Sequence, residues 1–274
     1  PSVRGRELVE KLIALDAKTP KRILVIGDAM VDVWVHGRVE SCQDGCYKFV
    51  ESSRISTLGG AANAANCLRH WKTYVGLYAS EIRGVKTRFR TDGKIVFRHD
   101  GEVQKTPEAM YQHLRRAALE DIPNTDAVLL SDYDKGFLTR EFVQQVVATG
   151  IPTISDAKRE PSFYAGTLLK GNSAYFKKYW RAHQLNDYVL TRGHTHPLVA
   201  IDGVQNHIGM SLATESCVNH VGAGDCFAAH LALALTHGFS RIDAAVIAHR
   251  AGKIYVQHPH NRPPMPEEIL ADAN

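Results

Sequence analysis

An α/β fold with a mainly parallel sheet and a small β-lid is what this 274-residue sequence predicts, on three observations. Short apolar runs recur along the chain with helix-period segments between them, and that alternation argues for a parallel sheet covered on both faces. Several of the runs stop at an acidic or glycine-rich turn, which is where open α/β sheets bind ligands. Two stretches break the alternation with period-two, turn-rich patterning, which reads as a separate small sheet. The composition, 44% hydrophobic and 23% charged, supports a packed core over disorder.

The opening "PSVRGRELVEKLIALDAK" has the pattern of a charged amphipathic helix and not of a signal peptide. Its first residue is not Met, which reads as a processed, trimmed or tagged start. "KRILVIGD" (Lys21–Asp28) follows as a fully buried strand. Val33–Leu58 then changes to alternation and turn residues, the first part of the predicted lid. "LGGAANAANCLRHW" (Leu58–Trp71) reads as a glycine loop entering a helix with a small packed face. Thr87–Arg98 carries Asp92-Gly93 between alternating stretches, a hairpin signal and the second part of the lid. Strands are predicted at Asp126–Tyr133, Ile151–Lys158, Gly166–Asn172 and Asp187–Gly193, with helices at Thr139–Thr149 and Ala174–His183. In "NHVGAGDCFAAHLALAL" (Asn219–Leu235), Phe227, Leu231, Ala234 and Leu235 are spaced as on an amphipathic helix.

Charge and cysteine content bound the function. A net charge of +4 with 14 histidines suits a phosphorylated ligand, while the scatter of Lys and Arg lacks a nucleic-acid footprint. No apolar run approaches the roughly 20 residues of a membrane span. Cys42, Cys46, Cys67, Cys217 and Cys226 are an odd set without zinc-ligand spacing, so they read as reduced thiols in a cytoplasm. The histidines of "HTH" (His194–His196) and "HPH" (His258–His260) read as solvent-facing.

Three strand ends carry an acidic residue, Asp28, Asp132 and Asp156, and two more end in Lys170-Gly171-Asn172 and Thr191-Arg192-Gly193. Each Asp alone is as well explained as a helix cap; together they point to a site. The sequence contains no GxxxxGK[ST], and "GAGDCF" lacks the third glycine of a dinucleotide fingerprint and lies late in the chain. Phosphoryl transfer fits better. Consecutive N–H groups of Gly222, Ala223 and Gly224 at a helix start offset negative charge on a transferred phosphoryl group. Asp225 then accepts the proton of an attacking hydroxyl, and Asp28 and Asp32 are placed to hydrogen-bond a polyol. Gly59 and Gly60 allow close backbone approach to a ligand that Asn63 can hydrogen-bond.

"GGAANAAN" and "VGAGDCFAAHLALAL", in that order and separation, resemble the paired signatures of the ribokinase-like, PfkB-type carbohydrate kinases. "VIGDAMVDVWVHGRVES", "AVLLSDYDKGFL" and "SDAKREPSFYAGTLLKGN" are similar to successive motifs of the D-glycero-β-D-manno-heptose-7-phosphate kinase branch, so the resemblance covers Arg22 to Val256. It implies one ribokinase-like domain over residues 1–274, a three-layer sandwich with a β-lid that pairs subunits into a homodimer. It also implies ATP and Mg2+, a sugar or sugar phosphate acceptor and, in this branch, phosphorylation of heptose 7-phosphate at the anomeric position. By motif, Asp225 is implied as the base and Gly222–Gly224 as the anion hole. Asp28, Asp32, Gly59, Gly60 and Asn63 are implied as sugar contacts, Lys135 as a contact to the acceptor's phosphate, and Asn172, Thr191 and Gly193 as ATP-phosphate neighbours.

The chain departs from the family pattern in five places. Tyr175 stands where the Glu of NxxE organises the metal, and Asn219 replaces an Asp of the monovalent-cation loop. The late glycine turn reads "QHPHN", and the segment between Tyr78 and Arg83 is shortened by a lid-side helix. "HIGM" (His207–Met210) lacks the second His of a nucleotidyltransferase HxGH, so that second activity is not expected. The alternative to an active kinase is therefore a weakened binding protein on the same scaffold.

Overall fold

Ile23, Leu24, Val25 and Ile26 point alternately to opposite faces of a strand, so a run of them needs cover on both sides. As β1 (Arg22–Gly27) they lie inside a sheet, all fully buried. The computed structural model describes residues 2–41, 45–80, 84–101, 107–183, 185–193, 195–208 and 217–271. β1 pairs in parallel with β4 (Tyr74–Ala79) on one side and with β7 (Ala127–Ser131) on the other. The parallel run continues through β8 (Thr153–Asp156), β9 (Leu168–Asn172) and β10 (Tyr188–Arg192). β11 (Thr195–Ile201) and β12 (Val204–His207) add antiparallel at the edge, giving the order β12-β11-β10-β9-β8-β7-β1-β4.

Helices cover both faces. Ile23, Val25 and Leu129 meet α1 (Ser2–Lys18), α2 (Ala61–Asn66), α6 (Ala223–Thr236), α7 (Arg241–Gln257) and α8 (Pro266–Ala271) in one core. Leu24, Ile26, Val128 and Leu130 form the other core with α3 (Glu108–Asp121), α4 (Arg140–Ala148) and α5 (Ser173–His183). α6 corrects the amphipathic reading: every residue from Asp225 to Ala234 is buried. Four of those ten positions are Ala, small enough for close packing, and a helix that is largely apolar all round is a buried one.

β2 (Ala29–Ser41), β3 (Tyr47–Gly60), β5 (Gly84–Thr91) and β6 (Lys94–Asp100) form a second sheet in the order β3-β2-β5-β6. β5 and β6 turn at Asp92-Gly93, both at positive φ, as a tight hairpin requires. Both long strands reach further toward the main sheet than the predicted Val33–Leu58, because the apolar "AMVDV" after Asp28 has no alternation to separate it from β1. Residues 81–83, in the shortened segment, lie outside the described residues.

Two minor readings change. Cys46 is disulfide-bonded, whereas Cys67, Cys217 and Cys226 are free; Cys42 lies outside the described residues. Of the histidines read as solvent-facing, His196, His258 and His260 are half-buried. His260 packs against the rings of Trp34 and His36, and His258 lies against Arg262. His194 and residues 209–210 of "HIGM" lie outside the described residues.

Candidate active site

Both glycine signatures enter a helix through a left-handed residue. Gly222 caps α6 at φ 82° and Gly60 caps α2 at φ 59°, a region that L side chains avoid. A Cβ on Gly222 would strike the Tyr255 hydroxyl and lie 2.6 Å from Asn63 Nδ2, and one on Gly60 would strike the Asp28 carbonyl. The two turns thus bring α2 and α6 together, and Asn63 Nδ2 donates to Asp225 Oδ2 at 2.9 Å.

Asp225, in the first turn of α6, is 2% exposed. Its other oxygen accepts from the Tyr133 hydroxyl at 2.6 Å. Burial raises its pKa to about 6, and the nearby Asp156 pushes the same way, while Asn63, Tyr133 and Lys170 pull it down. A carboxylate in that range is a usable proton acceptor near neutrality. Asn63 is itself fully buried and held by Tyr255 as well, Nδ2 to Oη 3.1 Å. Its position orients Asp225.

Beside Asp225 opens a cavity of about 560 Å³, walled by the carboxyl ends of β8, β9 and β10 and by the start of α6. Asn172, Thr191, Gly193, Gly222, Ala223 and Gly224 all line it, together with Asp156 and Lys170. Asn172 also accepts from Tyr175 N at 2.9 Å and so starts α5. At the N-terminus of α6 Ala223 N donates to the His220 carbonyl at 3.4 Å, and the start of the helix adds the Gly224 N–H and a positive dipole end to this wall.

Other predicted residues are placed differently. Asp28 is fully buried and accepts from the backbone N–H groups of Tyr133 (2.9 Å), Lys135 (3.0 Å) and Phe137 (3.2 Å). It anchors the loop after β7 and does not present a free carboxylate to a sugar. Asp132 is held likewise, accepting from Tyr164, from Arg159 and from the Asp134 N–H. Of the three acidic strand ends, Asp156 is the one in the cavity wall. Asp32, at the root of the second sheet, forms a buried ion pair with Arg88 at 2.6 Å and accepts from Asn261 at 3.1 Å. Gly59 lies against it, where a Cβ would come within 2.7 Å of Asp32 Oδ2. Lys135 contributes its backbone N–H to Asp28, but its side chain is exposed and lies outside the cavity wall. Lys86 and Lys158 instead put their ammonium groups 4.8 and 5.0 Å from the ring centre of Tyr133.

Tyr175 is 6% exposed, packs on Phe176 and Tyr179 inside the core, and leaves its hydroxyl without a partner. Asp156 is already neutralised by Lys170 at 2.9 Å. Among the described residues there is no group of three His, Cys, Asp or Glu side chains able to hold an ion. Tyr175 and the paired Asp156 therefore do not supply, among the described residues, a ligand set for a protein-held Mg2+. Asn219, where the resemblance places an Asp of the monovalent-cation loop, donates to Asn261 at 3.0 Å and accepts from Val221 N at 3.0 Å.

Tyr133 and Lys170 line the cavity, Tyr255 holds Asn63, and Arg88 and Asn261 hold Asp32; none of the five was assigned to the site from the sequence. Lys170 carried a signal as part of a polar strand end, and Tyr133 and Asn261 lay within the quoted "AVLLSDYDKGFL" and "QHPHN".

The sequence profile of the pfkB family of carbohydrate kinases matches residues 104–268. The bifunctional protein HldE of a Nitratiruptor species is 27% identical over 86% of this chain, which spans 61% of that relative's length. The D-beta-D-heptose 7-phosphate kinase of Bordetella bronchiseptica is 28% identical over 86% of this chain and 90% of its own. Among solved structures, Arabidopsis thaliana ribokinase complexed with ribose and ATP superposes with a TM-score of 0.68 at 17% identity, covering 92% and 98% of the two chains. That likeness shows a ribokinase-like fold.

Proposed function

The chain belongs to the pfkB family of carbohydrate kinases, and on that premise we propose that it transfers the terminal phosphoryl group of ATP to a hydroxyl of a sugar or sugar phosphate. The observation that carries this reading is Asp225: a buried carboxylate titrating near 6, at the mouth of a helix N-terminus that faces a cavity of nucleotide size. The acceptor oxygen attacks phosphorus, its proton passes to Asp225, and ADP leaves. The N–H groups at the start of α6 stabilise the charge on the group in transit.

Heptose 7-phosphate, phosphorylated at the anomeric hydroxyl, is the proposed acceptor, supported by the names of the two relatives. The second sheet acts as a lid over it, with Asp32, Gly59 and Gly60 at the hinge-side floor and Lys86 and Lys158 nearest to a phosphate. The single kinase domain accounts for residues 1–274. Tyr47 and Phe97, 85% and 60% exposed on the second sheet, supply apolar surface for a homodimer through the lids. Among the described residues no helix is long and apolar enough to cross a membrane; use of ATP favours a cytoplasmic setting. One observation favours the alternative of a weakened binding protein, the withdrawal of Tyr175 into the core where the family Glu is expected.

The test is ADP release with a panel of sugars and heptose phosphates, alongside calorimetric ATP binding. Turnover with heptose 7-phosphate above neutral sugars supports the proposal. ATP binding without turnover on any acceptor selects the alternative, and no nucleotide binding rejects both.

A further inference from the structure

Lys170 is 3% exposed, near the end of β9, and lies in the wall of the cavity. Its ammonium donates to Asp156 Oδ2 at 2.9 Å and to the Gly224 carbonyl at 3.0 Å. Parallel pairing sets this geometry, because Asp156 and Lys170 are register partners on β8 and β9. A buried ammonium needs a counter-charge, and Asp156 supplies it. Two of its three N–H donors are thereby engaged. The third has no partner among the described residues, and the group stands beside the first turn of α6, where the helix N-terminus gathers positive potential.

The same wall lacks a ligand set for a divalent ion, since Tyr175 is turned into the core and Asp156 is spent on Lys170. Among the described residues the site therefore offers a fixed positive charge and no group of three carboxylate, histidine or thiol side chains to hold a mobile one. We propose that Lys170 is the resident cation of the phosphoryl site, with its free N–H donating to the terminal phosphoryl group of the donor. This rests on the kinase reading above. In the transfer, the acceptor oxygen forms a bond to the terminal phosphorus and the bond from phosphorus to the bridging oxygen breaks. The acceptor's proton goes to Asp225, and the bridging electron pair leaves with ADP. Lys170 donates throughout to a phosphoryl oxygen and is not consumed. It also stands close enough to Asp225 to favour its ionised form, so one ammonium serves both the base and the group being moved.

The proposal predicts nucleotide binding that depends on Lys170 more than on added metal. ATP and ADP binding would be measured by titration calorimetry, with Mg2+ and with EDTA, for the parent, Lys170→Met, Lys170→Arg and the double variant Asp156→Asn/Lys170→Met. The double variant leaves no unpaired buried carboxylate, so it separates a lost contact from a lost fold; its melting temperature checks this. The parent should keep ATP binding in EDTA. Lys170→Met and the double variant should lose ATP affinity by about tenfold or more, the lower end for a hydrogen bond to a charged group, with a smaller loss for ADP. Lys170→Arg should recover most of it. A folded double variant that binds ATP like the parent overturns the assignment, as does a parent whose ATP binding disappears in EDTA. A parent that turns over while the double variant matches it leaves the kinase reading intact and removes Lys170 alone. A parent that binds no nucleotide with Mg2+ present overturns the kinase reading itself.

Discussion

On one side of Asp225 the ends of β8, β9 and β10 present Asp156, Lys170, Asn172 and Thr191 to an open cavity; on the other, β1 and the second sheet hold Asp28 and Asp32 in closed contacts. The two sides use the same residue types at similar strand ends. Asp28 and Asp225 differ in what satisfies the carboxylate. Asp28 takes three backbone N–H groups and fixes a loop. Asp225 takes side-chain donors from Asn63 and Tyr133, with its pKa pushed up to about 6 by burial. A carboxylate bound by backbone is committed to structure, whereas one held by side chains in a dry pocket remains able to take a proton.

The strongest test of that contrast is Asp225→Asn. Turnover should fall about 10²- to 10⁴-fold, the usual worth of a general base, with ATP binding retained in calorimetry. Full turnover would make Asp225 a helix cap like any other. Gly222→Val comes next, because its left-handed backbone and the Tyr255 hydroxyl both oppose a side chain. It should cost about 1–3 kcal/mol in a denaturant melt, the usual strain at such positions, and weaken phosphate binding too.

Asp28→Asn should lower stability by about 1–3 kcal/mol by weakening three backbone contacts, leaving the sugar KM near that of the parent. A raised KM with an unchanged melt would return Asp28 to the sugar site and erase the difference between the two sides.

A pH profile bears on the same point. Asp225 must be ionised to act, so kcat/KM should fall as pH drops through about 6. Tyr133→Phe removes a donor to the ionised form, so the fall should move to higher pH. Stability runs the opposite way. A carboxyl raised from 3.8 to about 6 stabilises the fold fully below the lower value and loses that contribution as pH rises through the higher one. The melting temperature of Asp225→Asn, relative to the parent, should therefore be higher at about pH 7.5 than at about pH 4, on either side of that range.

The smallest effect belongs to Lys135→Ala. Its side chain is exposed, and such substitutions usually stay within about 0.5 kcal/mol, so sugar-phosphate affinity should change by less than about threefold. A loss of tenfold would bring the loop after β7 back into acceptor recognition, against Lys86 and Lys158.

The parallel sheet, the Asp92-Gly93 hairpin and the glycine-led entries to α2 and α6 were legible in the sequence alone. Those features depend on side-chain period and on backbone conformations that few residues tolerate, and both are local. Asn63 and Asp225 were each legible as site residues, but not their hydrogen bond, which joins positions 162 residues apart. The burial of Tyr175, the loop-anchoring role of Asp28 and the Asp156–Lys170 pair came only with tertiary packing. A strand-end Asp or Lys looks the same in sequence whichever neighbours the packed helices and strands bring to it, and those neighbours set its solvent, its partners and its charge state.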